Sequence, residues 1–327
     1  MRRIALVLAI LALVAGMAAG QAAKFAWYAP APHPYFDTVR VGVDAFEKEF
    51  KIPVRKQVGP DFNMDSENTG VLALVAEGYL YLSVYPIDVS AANGLYDEVV
   101  GQKGKVVNFG ASTMEPTPAS FAVRTDVKDA AMVAAEFVIG KMGKKGTLVD
   151  VLEVLEDPNT RLRKEGIEQV AKKYPGIKIV EVAGINSEQQ AVEKIEGAIA
   201  GAGGYVEGII CTGYVPTVAL SKILTDYSAK NKKVIQGVGI DTDPVTLKAI
   251  EEGYLAGTIS QNPFGHGYLS LLALKYMSEG WKVRAGAYNI NAGIVMVTKA
   301  NLKTFEADLT KVTNQIKADL TRKYLQK

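Results

Sequence analysis

From Lys24 onward the chain keeps returning to one rhythm: a short apolar stretch of strand character, then roughly a dozen residues with helical spacing. Strands are predicted over 24–28, 54–58, 80–84, 105–109, 147–152, 178–182, 208–212, 234–240 and 255–260. Between them the pattern predicts helices over 35–50, 65–76, from about 89, and over 128–142, 160–173, 187–200, 216–228 and 264–278. In the first helix Val39, Val43, Phe46 and Phe50 recur on one face. Ser187 and Gln190 have the spacing of a capping box, and Asp243-Pro244 opens a helix that Gly253 closes. Strands alternating with helices make right-handed βαβ units and parallel sheets. About ten strands are too many for one small open sheet, and 327 residues suffice for two cores, so the fold class is α/β with two doubly wound parallel-sheet lobes.

The composition, 48% hydrophobic and 22% charged, is that of an ordinary globular protein and excludes disordered and disulfide-scaffold classes. Net charge is +2, from 37 Lys+Arg against 35 Asp+Glu, with no basic block outside the C-terminal tail; nucleic acid is therefore not an expected partner. Met1-Arg2-Arg3, an apolar run from Ile4 to Val14 and the small residues up to Gly20 have the anatomy of a signal peptide spanning residues 1–20, with no cysteine near the cut to take a lipid. The expected location is the periplasm, as a free monomer. Cys211 is the only cysteine and lies in an apolar strand, so no internal disulfide forms and the thiol reads as a small buried hydrophobe.

Enzyme signatures are scarce. The glycines at 201–204 follow a helix and precede a strand, the reverse of a phosphate cradle, and 140–147 fails as a P-loop for the same reason. There is no Gly-x-Ser-x-Gly elbow, no His-Glu-x-x-His and no metal-spaced Cys/His cluster, and only two histidines occur. No cofactor is expected, and the chain is read as a binding protein rather than an enzyme.

In doubly wound sheets ligands bind outside the carboxyl ends of the strands. The loops so placed are 29–34, 110–113, 155–163, 183–186, 213–216, 241–244 and 261–263. They bring His33, Tyr35 and Phe36 to the first junction, and Arg163, Asn186, Asp241 and Gln261 to later ones. Rings cover the C–H face of a sugar, and planar polar groups span neighbouring hydroxyls with paired hydrogen bonds.

These residues also carry a resemblance. Over Lys24 to about Val297 the sequence resembles the ribose/galactose-type periplasmic binding proteins of ABC importers, with their type I fold. His33-Pro34-Tyr35-Phe36 is similar to the family's Asn-Pro-Phe-Phe segment, Arg161 to Gly166 to its Arg-x-Arg-x-x-Gly helix start, Val238 to Asp241 to Val-Gly-Phe-Asp, and Leu255 to Pro263 to the segment ending in the binding glutamine. The resemblance implies hydroxyl-binding roles for Arg163, Asp241 and Gln261. It also implies three crossovers between lobes, near 121–126, 260–262 and 285–291. The N-terminal lobe is then 24–124 plus 262–286, the C-terminal lobe 125–261 plus 287–300, and 301–327 a helical tail. The implied partners are a small sugar and an inner-membrane ABC permease; the alternatives are a sugar- or furanose-signal sensing system and a secreted carbohydrate hydrolase. This chain departs from the family where Gly110-Ala111 replaces Asp-Arg and Gly213 replaces Asn, which makes Gly110, Gly213 and neighbouring Tyr214 further candidates for the ligand wall. Losing those charge-assisted bonds removes about 1.5–3 kcal/mol each, so an unmodified ribose site is not expected.

Overall fold

The computed structural model describes residues 23–155 and 157–327. The expected signal peptide lies outside the described residues.

Two six-stranded sheets form the two layers of the molecule. The first contains β1 (Phe25–Ala29), β2 (Val54–Val58), β3 (Tyr81–Val84), β4 (Lys105–Phe109), β5 (Phe121–Arg124) and β12 (Asn289–Asn291), in the order β12-β5-β4-β3-β1-β2. The second contains β6 (Gly146–Val151), β7 (Ile177–Val182), β8 (Gly208–Cys211), β9 (Gln236–Ile240), β10 (Gly257–Ser260) and β13 (Val295–Val297), in the order β13-β10-β9-β8-β6-β7. Within these two sheets all pairs are parallel except β10 with β13. Both sheets reverse direction of growth beside their first strand, between β1 and β3 and between β6 and β8, and a crevice opens at such a switch point.

Helices cover both faces. In the first lobe these are α1 (Pro34–Phe50), α2 (Met64–Ala76), α3 (Ala92–Gly101) and α9 (Pro263–Ser278); in the second, α4 (Val127–Lys141), α5 (Pro158–Ala171), α6 (Glu188–Gly201), α7 (Tyr214–Lys230) and α8 (Pro244–Glu252). The period of two along a strand sorts the core. Phe25, Trp27 and Ala29 of β1 pack with α1 and α9, whereas Ala26 and Tyr28 pack with α2 and α3. In the second lobe Val149, Val151 and Cys211 face α6 to α8, while Leu148 and Ile210 face α4 and α5. Cys211 is therefore the buried hydrophobe expected of it, its thiol pushed well up by burial.

Helix starts follow the sequence closely. Asp243 accepts from the Val245 amide with Pro244 at the first position, and Gly253 ends α8 in the left-handed conformation. Ser187 caps α6 through the Gln190 amide. The reading missed β5, β12, β13 and two short strands, β11 (Lys282–Val283) and β14 (Leu325–Gln326); all but β5 have only two or three residues, too few for a period to register.

The chain crosses between sheets at 125–126, 261–262 and 292–294, from β5 to α4, β10 to α9 and β12 to β13. The third crossing is a correction. The resemblance implies that residues 287–291 belong to the C-terminal lobe, but Asn289, Ile290 and Asn291 pair with Ala122, Val123 and Arg124 of the first sheet. The crossings are cross-linked: the Thr125 hydroxyl donates to the Gln261 carbonyl (2.8 Å), and the buried Asn262 amide donates to the Ala292 carbonyl (2.5 Å) and the Thr313 hydroxyl (3.0 Å).

The tail is helical only in part. After α10 (Phe305–Asp319), a π-turn over Leu320–Tyr324 leads into β14, which pairs antiparallel with β11. Phe305 and Leu309 pack on Val295 and Val297 of the second sheet, while Leu320 and Leu325 are fully buried in the core of the first. Lys317 adds an ion pair to Glu49 at 2.5 Å. The tail thus straddles the crossings and docks on both lobes.

One buried acid gives the first lobe a pH signature. Glu67 is fully buried, with Oε2 accepting from the Ile87 amide (2.9 Å) and Oε1 unpartnered. Burial pushes its pKa up to about 7, the Ile87 N–H opposing and Asp88 adding to the rise. A carboxyl whose folded pKa is raised stabilises fully below its unfolded value and loses that contribution as pH rises to the folded one. Between pH 4 and pH 8 the stability difference between wild type and Glu67→Gln is therefore expected to move against wild type by about 3 kcal/mol, read from urea unfolding at both pH values. A difference that does not move would contradict it.

Candidate functional site

The strand ends of the two sheets meet around one cavity of about 340 Å³. Its walls include His33, Tyr35, Phe36, Gly110, Arg163, Gly213, Tyr214, Asp241 and Gln261, which is every expected site residue except Asn186. Asn186 is exposed beside the start of α6, its backbone N–H donating to Gln190 Oε1 at 3.2 Å. The reason is topological. Asn186 follows β7, the edge strand, and the crevice lies on the other side of β6.

The first lobe supplies rings. His33 caps α1, its Nδ1 accepting from the Tyr35 amide at 3.1 Å, and this fixes the backbone turn that aims the next two side chains. Phe36 is buried edge-on against Tyr85 (5.2 Å between centroids) and Phe109 (6.2 Å). The Tyr35 hydroxyl bonds to His266 Nδ1 at 2.7 Å. His266 is buried at the start of α9, its pKa pulled down to about 3 by burial, and its Nε2 lies 3.3 Å from the Thr125 hydroxyl. A hydrogen-bonded chain therefore runs from a ring in the cavity wall to the first crossing.

The second lobe supplies planar polar groups. Arg163 projects from the first turns of α5; its Nε is buried without a hydrogen-bond partner, and no ion pair among the described residues includes it. Asp241 sits just beyond β9 in a left-handed conformation (φ 67°), and its Oδ1 accepts from Gln261 Nε2 at 2.9 Å. Burial raises the Asp241 carboxyl above the usual range, against the pull of that bond and of Arg163. Tyr214 donates to Asp243 Oδ2 at 2.7 Å, and its ring meets that of His33 from the opposite lobe at 5.3 Å. Asp243 thus serves the cap and the tyrosine, which leaves Asp241 for the cavity.

The glycines that replace the family's polar residues do not leave empty space. A Cβ on Gly110 would lie 2.5 Å from the Tyr35 hydroxyl and 3.0 Å from the Tyr85 ring, with φ at +73°. A Cβ on Gly213 would lie 2.2 Å from the Glu153 carboxyl carbon. Tyr85 and Glu153 have moved into those places. Glu153, just past β6, is raised in pKa chiefly by burial, opposed by Arg163 and reinforced by Asp241 and Asp157. The sequence reading missed Phe62, Tyr85, Glu153, Asp157 and His266 as lining residues. Tyr85 and Glu153 each follow a strand end, and the strand-end rule finds both once a loop is drawn after β3 and the loop after β6 begins two residues earlier.

Gly110→Ala is expected to cost about 1–2 kcal/mol from the left-handed backbone alone and to push Tyr35 off His266. A calorimetric scan showing unchanged melting would contradict this. Among the described residues no group of His, Cys, Asp and Glu could hold a metal ion, and no helix is long and apolar enough to cross a membrane.

Comparisons with known proteins agree with this geometry. The chain is 24% identical over 245 residues to a xylitol-binding protein of Mycolicibacterium smegmatis, covering 69% of this chain and 68% of that one. It is 26% identical over 151 residues to a xylose/arabinose-binding protein of Sulfolobus acidocaldarius, a match spanning 45% of this chain and only 36% of that relative's length. A sugar-binding protein of a sugar ABC transporter from Bacillus halodurans superposes with a TM-score of 0.79 at 18% identity, over 86% of this chain and 99% of that one. The model of the periplasmic binding protein domain matches residues 26–282, and with two sheets closing strand ends on a shared cavity, the chain belongs to that family.

Proposed function

We propose that the protein is a periplasmic receptor that captures a small sugar or sugar-like solute between its lobes and delivers it to an ABC permease. The observation that carries the reading is the division of the cavity wall: Tyr35, Phe36 and Tyr85 on one side, Arg163, Asp241 and Gln261 on the other. A ring face and a set of planar donors and acceptors are the two surfaces a polyol presents a need for. The volume falls at the small end of the roughly 300–1,000 Å³ typical of small-molecule sites. Relatives named for xylose, arabinose and xylitol support a sugar or polyol, and the family, one of binding proteins rather than enzymes, removes the hydrolase alternative. The N-terminal segment supports export with cleavage ahead of Gln21. Ligand binding favours the closed arrangement by as much as the solute prefers it, and that form is the one offered to the permease.

Isothermal calorimetry against a panel of pentoses, hexoses, alditols and cyclitols tests the reading. Saturable one-to-one binding of at least one member is expected; uniform absence of heat from well-folded protein overturns it.

A further inference from the structure

The charge inside the cavity narrows the solute, and the inference rests on the receptor reading above. Among the described residues the wall carries three carboxylates, of Glu153, Asp157 and Asp241, against one guanidinium, that of Arg163. Asp157 is committed locally. Its Oδ1 accepts from the Asn159 amide (3.1 Å) and its Oδ2 from the Thr160 amide and hydroxyl (3.0 Å each), so its charge lies on the positive end of α5. His33 Nδ1 is occupied as the acceptor for the Tyr35 amide.

Among the described residues, Glu153, which spends one bond on the Val215 N–H, and Asp241 therefore face the single guanidinium. Asp241 uses Oδ1 for Gln261 and leaves Oδ2 open. Glu153 occupies the wall where Gly213 has no side chain, so its carboxyl is a fixed part of the cavity rather than a solvated surface group. Burial holds both carboxyls above their usual range, and Asp241 adds to the rise at Glu153. A neutral polyol would seal this surplus negative charge into a low-dielectric space, where an uncompensated charge is costly. A solute bearing one ammonium group supplies the missing cation and three donors for charge-assisted hydrogen bonds, while the surrounding rings accept either C–H faces or cationic charge.

We propose that the solute is a sugar or sugar-like molecule carrying a protonated amino group, seated against Glu153 and Asp241, with Arg163 holding a hydroxyl oxygen.

Calorimetry at pH 7 with matched probes tests it: D-glucose, D-glucosamine and N-acetyl-D-glucosamine, and the galactose set of the same three. The amino sugar of at least one set is expected to bind about tenfold or more tighter than both its neutral parent and its N-acetyl form, since a hydrogen bond to a charged group is worth a tenfold or larger factor. Glu153→Gln, nearly isosteric, is expected to bring the amino sugar's affinity to that of its parent, with melting temperature checked to show that the variant folds; Asp241→Asn provides a second variant with the same expected loss of preference. A neutral parent bound as tightly as, or more tightly than, its amine, or a preference that survives both variants, overturns the proposal and leaves the receptor reading intact. No binding by any sugar of either kind, here and in the wider panel, overturns the receptor reading and this proposal together.

Discussion

Arg163→Ala is expected to weaken solute binding on the order of a hundredfold while moving the melting temperature by no more than a few degrees. The guanidinium stands at the cavity with a buried, unpartnered Nε and, among the described residues, no carboxylate in ion-pair contact, so its donors are kept for something that enters. Two charge-assisted hydrogen bonds at about 1.5–3 kcal/mol each would amount to two or more decades in affinity. Removing it also leaves Glu153 and Asp241 facing each other without the charge that opposes them both. Arg163→Lys keeps a cation but not the planar fork, and should recover only part of the loss. Affinity unchanged in Arg163→Ala, measured by calorimetry with whichever solute the panel identifies, would contradict the assignment.

The second large effect concerns the tail. A chain ending at residue 300 is expected to melt on the order of 10 °C or more below the full-length protein, or not to fold at all. Phe305, Leu309, Leu320 and Leu325 are all buried, and burying a large apolar side chain stabilises by about 1.5–3 kcal/mol. Their combined loss is comparable with the whole stability of an ordinary domain. The truncation also strips Thr313 from the buried Asn262 amide at the second crossing and β14 from the edge of β11. Because one end of the tail packs on the second sheet and the other on the first, Leu309→Ala and Leu320→Ala separate the two dockings, each lowering stability without touching the cavity. Equal melting of full-length and truncated protein would show the tail to be an ornament.

The sequence made the architecture legible because period and punctuation agreed: Asp243-Pro244 with Gly253 bracketed α8, and Ser187 with Gln190 opened α6, each through a hydrogen bond or a left-handed residue that the structure contains. Strands of four to six residues registered, β5 excepted, while β11 to β14 carry too few residues to show alternation. That shortness is also why residues 287–291 were placed in the wrong lobe, since only the pairing of β12 with β5 reveals where the third crossing falls. In the site, residues within the loops read after strand ends were found, whereas Tyr85 and Glu153 just outside those loops, and Phe62 and His266 from other parts of the first lobe, were not. Gly213 looked like vacant space because a glycine says nothing about which side chain fills the room it leaves; here Glu153 does, from two strands away in sequence. Asn186 had the right residue type in the wrong place, because a strand-end rule applied without the strand order cannot tell an edge strand from a switch point.

A crystal structure of the protein with its solute tests the whole account most directly. It should find the solute between the Phe36–Tyr85 wall and the Arg163–Asp241–Gln261 wall, touching both lobes at once. A solute held by one lobe alone, or lodged away from the strand ends, would contradict it.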